Sequence, residues 1–82
     1  MLATVASITS ANRIKKKLFE NGIAVFVIQT PQQLTKEGCG YSLRFEDNAQ
    51  SAVSAAATYL KIKIRAFFKE TVVDGEKIYT RV

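Results

Sequence analysis

The sequence has no histidine and no tryptophan, and only one cysteine, one proline and one methionine in 82 residues. The missing histidine removes the commonest general base near neutral pH and the commonest metal ligand. It also excludes a protease-like cysteine–histidine pair. A single cysteine supplies too few ligands for a soft-metal site within one chain, and it allows no internal disulfide. A phosphate-cradling loop is missing too, because Gly22, Gly38, Gly40 and Gly75 are scattered and read as caps and turns. No metal and no cofactor are therefore expected. The longest apolar run, Ile23 to Ile28, falls far short of the ~20 residues that span a bilayer. The opening Met1-Leu2-Ala3-Thr4 has neither the basic region nor the long apolar region of a signal peptide. The expectation is a cytoplasmic protein with no membrane partner.

What is present is ordinary for a folded domain. Hydrophobic residues make up 48% and charged residues 23%, which argues against disorder and for one domain over residues 1–82. The net charge of +5 allows an anionic partner, whether nucleic acid, acidic protein or small oxyanion. It is equally what a solvated, soluble surface requires.

Hydrophobic periodicity divides the chain. Residues 3–8 read as a first strand, with Thr9 or Ser10 as the cap of a helix from Ala11 to Asn21. Ala11, Ile14 and Leu18 recur on one helical face, and Gly22 suits the left-handed exit. Ile23 to Thr30 is a second strand, apolar on both faces. It is therefore expected to be central, or to be covered on its second face by a homodimer partner. Pro31 ends it. Tyr41 to Glu46 alternates as a third strand, and Asp47 or Asn48 opens a second helix running roughly from Ala49 to Leu60. Lys61 to Lys69 returns to period two as a fourth strand, with Lys61, Lys63, Arg65 and Lys69 as a basic stripe on one face. Asp74-Gly75 signals a tight hairpin turn, and Ile78 to Arg81 a fifth, edge strand. The order predicts an α+β, ferredoxin-like β-α-β-β-α-β antiparallel sheet with two helices on one face, plus a C-terminal hairpin strand over residues 69–82.

Cys39 is the one candidate for chemistry. Its thiolate would be favoured by nearby backbone N–H groups or positive charge. Gly38 and Gly40 let the chain turn tightly around the sulfur, while Lys36 and Arg44 are the nearest cations in sequence. The residues alone equally allow a small buried hydrophobe, leaving a non-catalytic binding or adaptor module for a protein, a small molecule or RNA. RNA recognition is the weaker form of that alternative. Gly40-Tyr41-Ser42 fits part of the signature, but Cys39, Leu43 and Arg44 stand where it wants a basic, an aromatic and an aliphatic residue. The first strand also has no aromatic for base stacking, so nucleic acid is not expected as a partner.

Thr30-Pro31, a short loop and then Gly38-Cys39-Gly40-Tyr41-Ser42-Leu43-Arg44, with the Asn21-Gly22-Ile23 step before them, resembles the selenium/sulfur (Se/S) carrier-like protein family over about residues 4–68. The resemblance implies that Cys39 carries sulfane sulfur or selenium, as a persulfide or selenosulfide, between donor and acceptor proteins. That is the work of a carrier rather than of a turnover enzyme. It implies nothing about residues 69–82. A lone cysteine suits the role, since a second thiol would resolve the persulfide into a disulfide.

Overall fold

The computed structural model describes residues 1–34 and 40–82. Its elements are β1 (Leu2–Val5), α1 (Ile8–Glu20), β2 (Phe26–Gln29), β3 (Tyr41–Arg44), α2 (Gln50–Leu60), β4 (Ala66–Val73) and β5 (Glu76–Arg81). Short 3-10 turns occupy Gln32–Leu34 and Asp47–Ala49. The five strands form one antiparallel sheet in the order β2-β3-β1-β4-β5. β3 is inserted between β1 and β2, and β4 lies on the other side of β1. The expected α+β architecture, with its β-α-β-β-α-β order and added hairpin, is the one observed.

Alternation sorts the side chains onto two faces. Ala3 is opposite Leu43 on one side and Phe67 on the other, and Leu43 is opposite Val27. These residues, with Val5, Val25 and Phe45, meet Ala11, Ile14 and Leu18 of α1 and Val53, Ala56 and Ala57 of α2. Phe45 and Phe67 pack edge to face at 6.3 Å. The alanines of α2 let its backbone come close to this layer, and the apolar face read for α1 is the buried one.

Local chemistry explains the element ends. Ser7 leaves the β1 ladder and its Oγ accepts from the Ser10 N–H at 3.1 Å, so α1 starts earlier than Thr9 or Ser10 as caps would allow. At the far end Ile23 N–H donates to the Leu18 carbonyl and Gly22 N–H to that of Phe19, with Gly22 at φ +76°. This is the Schellman arrangement. α2 ends the same way, Ile62 N–H donating to the Ala57 carbonyl at 2.8 Å, but its left-handed residue is Lys61 at φ 58°. The β4–β5 turn has φ 52° at Asp74 and 80° at Gly75, positive at both central residues as a type I′ turn requires.

Two expectations are corrected. Lys61–Arg65 is not strand: β1 offers a ladder only at Leu2–Thr4, which pairs with Ala66–Phe68. The alternation of Ile62 and Ile64 instead half-buries both against the core in a passage without regular structure. The basic stripe is therefore broken, with Lys61 ending a helix, Lys63 and Arg65 before β4, and Lys69 within it. β2 is also shorter than expected and lies at the sheet edge rather than its centre. Its outward Phe26 is 65% exposed.

Lys61→Gly removes a Cβ from a left-handed position, and should raise the urea midpoint at unchanged slope, by about 1 kcal/mol of stability. Gly22→Ala should lower it by a similar amount. A lower midpoint for Lys61→Gly would show that the left-handed strain is not what limits the end of α2.

Candidate functional site

The sheet face away from the helices carries the polar and charged features. Leu2, Thr4, Ser42, Arg44, Ala66, Phe68, Glu70, Tyr79 and Arg81 share it through the strand registers. Leu2 is fully buried there, with Arg44 and Phe68 as its cross-strand neighbours.

At one end of this face β2 runs out and β3 begins. Thr30 N–H donates to the Gly40 carbonyl at 2.9 Å. Pro31 has no N–H to continue the ladder, and Leu34 N–H closes a turn onto the Pro31 carbonyl. The Thr30 and fully buried Ser42 hydroxyls are 2.8 Å apart. A Cβ at Gly40 would stand 3.4 Å from Thr30 Oγ1 and 3.6 Å from the Val5 carbonyl oxygen, so a side chain would fill this junction. Gly40 is the residue after Cys39. Lys36, Gly38 and Cys39 lie outside the described residues.

A cleft of about 460 Å³ opens here, with Thr4, Thr30, Leu34, Gly40, Arg65 and Arg81 in its wall. Ala66 and Phe68 also line it. Thr4 Oγ1 donates to the Ala66 carbonyl at 3.4 Å, and Arg65 N–H donates to the Thr4 carbonyl at 2.8 Å.

Arg44 is not at this end. It lies four residues along β3 from Gly40, about 13 Å of strand, and its Nη2 donates to Glu70 Oε2 at 2.9 Å. Lys77 Nζ is 4.0 Å from the same oxygen. Burial pushes the Glu70 carboxyl up, but the Tyr79 hydroxyl, Arg44 and Lys77 together outweigh it and hold the group below its ordinary value. Burial, then the hydrogen bond and charge of Glu70, push the Tyr79 hydroxyl up. Arg44 Nε is buried with no partner among the described residues.

Sequence reasoning missed Arg65 and Arg81 as a pair. Arg65 was legible only as part of a stripe, and Arg81 only as part of an edge strand. Their convergence depends on the β1–β4 and β4–β5 registers, which no local pattern specifies. Among the described residues no group of three or more His, Cys, Asp or Glu could hold a metal ion, and no helix is long and apolar enough to cross a membrane.

The Glu70 cluster gives a pH signature. A carboxyl held below its ordinary 4.5 stabilises the fold above that pH, and the contribution is lost as pH falls through the folded-state value. Glu70→Gln should cost about 1 kcal/mol at pH 7. The gap from wild type in urea titrations should close towards pH 3. A gap independent of pH would mean the glutamate acts through packing alone.

The family described as "Putative Se/S carrier protein-like" matches residues 1–69. No curated protein and no solved structure matches the chain significantly. The match runs from β1 into the first half of β4 and takes in the whole Thr30–Arg44 segment on which the resemblance rested. With most of its length matched, the chain belongs to the Se/S carrier-like family.

Proposed function

We propose that the protein is a sulfur or selenium carrier in which Cys39 holds the transferred atom. Family membership over residues 1–69 is the observation that carries this reading. It is supported by the single cysteine of the chain and by the open cleft at Gly40, the next residue. Gly38 and Gly40 flank Cys39 without side chains of their own, and Lys36 is the nearest cation in sequence.

The transfer is an exchange without net redox change. The Cys39 thiolate attacks the terminal sulfur of a donor persulfide. A new S–S bond forms to Cys39, the donor's S–S bond breaks, and the donor leaves as its thiolate with the electron pair. Selenium bound as the terminal atom of a donor selenosulfide moves by the same displacement. An acceptor thiolate then repeats the step and returns Cys39 to the thiolate. Donor and acceptor are proteins of the reducing cytoplasm. The chain works as a homodimer that buries part of the outer sheet face, where Phe26 and Val72 are 65% and 66% exposed. Light scattering should read a two-chain mass at micromolar concentration, and a one-chain mass would remove the dimer.

Reduced protein treated with inorganic polysulfide should gain the mass of one sulfur atom, released by cyanide. Cys39→Ser should gain none. The Cys39 alkylation rate in the folded protein should report a pKa below the ordinary thiol value of about 8.5. Sulfur uptake undiminished in Cys39→Ser would overturn the proposal. So would a wild-type thiol that reacts only after unfolding, which would leave a non-catalytic binding module with a structural cysteine.

A further inference from the structure

Residues 70–82 lie beyond the family match, yet they complete the cleft. β5 runs antiparallel to β4 with Arg81 opposite Phe68, and Phe68 is in turn opposite Leu2. The Val82 N–H donates to the Phe67 carbonyl at 3.0 Å, so the ladder continues past Arg81 and fixes its place. Arg65 sits three residues before Phe68, about 10 Å along the chain. It is anchored through its own N–H to the Thr4 carbonyl. Both arginines line the one cleft, and none of its lining residues among the described ones is acidic. Among the described residues neither guanidinium has a carboxylate partner. The nearby acid of this sheet face, Glu70, is already held by Arg44, Lys77 and Tyr79.

We infer that this cleft is a binding site for the oxyanion group of a small molecule, a phosphate, sulfate or carboxylate, and that the C-terminal hairpin supplies one of its two cationic ligands, Arg81. A guanidinium presents a planar fork of donors that matches such groups. The hydroxyl of Thr30 adds a neutral polar contact in the wall, and Phe68 and Leu34 offer apolar surface to the rest of the ligand. The volume of about 460 Å³ exceeds that of a bare inorganic anion and fits a small organic one. The site rests on the cleft and its charges and stands whether or not Cys39 carries sulfur.

The test is a titration of the full chain with inorganic phosphate at constant ionic strength, followed by amide NMR. Saturable shifts are expected at Thr4, Thr30, Gly40, Ala66 and Arg81. Arg65→Gln/Arg81→Gln should weaken binding by about ten-fold or more, as loss of two charge-assisted contacts implies. Lys15→Gln/Lys16→Gln, on the exposed side of α1, should bind as wild type does. Each single arginine variant should fall between, and the spectra themselves report whether each variant is folded. Shifts that grow linearly and spread over the α1 lysines would overturn the inference. So would wild-type affinity in the folded double arginine variant. Cys39→Ser should bind phosphate normally, which separates this site from the carrier reading.

Discussion

The four residues of β1 have no exposed side, and the rest of the domain is arranged around that constraint. Leu2, Ala3, Thr4 and Val5 are all buried, in a strand paired on both edges and covered on both faces. Ala3 and Val5 face the helices; Leu2 and Thr4 face the other way. Such a strand cannot alternate apolar and charged residues as a surface strand does. It also sets the length of its neighbours' ladders. β4 pairs with it for three residues and must continue alone, so its outer half needs β5 as a partner. Unpaired, that half would leave a row of free backbone donors and acceptors at the sheet edge.

Burying the strand on both faces forces polar chemistry onto the ends of the outer face. In the middle, Leu2 and Ser42 are fully buried. Charges are kept to the flanks, where water still reaches them. On one flank the single acid, Glu70, is shared by Arg44, Lys77 and the Tyr79 hydroxyl. The other has two arginines and, among the described residues, no acid in the cleft wall. One sheet face thus carries a cluster of paired ions at one end and an opening lined by two arginines at the other.

The parts of this fold that were legible in the sequence are those decided within a few residues. Ala11, Ile14 and Leu18 mark the buried face of α1, Gly22 marks its end, and Asp74-Gly75 marks the hairpin turn; each is visible because the physics is local. The parts that were not legible depend on partners far away in the chain. Ile62 and Ile64 alternate as a strand would, but β1 is too short to pair with them. β2 is apolar on both faces as a central strand would be, yet it lies at the edge with Phe26 exposed. Of the candidate site residues, Gly40 lies in the cleft wall and Arg44 at the opposite end of β3. The two are only four positions apart in sequence, but an extended strand separates them by about 13 Å. In a helix the same spacing would have made them neighbours.

That contrast bears on where the charge of the cleft comes from. The charge in the cleft beside Gly40 comes from segments other than β3, because Arg44 lies further along that strand. In this topology those segments are the end of β2, the entrance to β4 and the end of β5. The first contributes Thr30, a neutral hydroxyl engaged with Ser42. The other two contribute Arg65 and Arg81. Arg65 falls inside the family-matched segment and Arg81 outside it. A chain that stopped at β4 would lose Arg81 from the cleft, and with it the strand that pairs with Phe68. The hairpin therefore links two consequences of one ladder: it completes the sheet that buries β1, and it sets the charge of the opening beside Gly40.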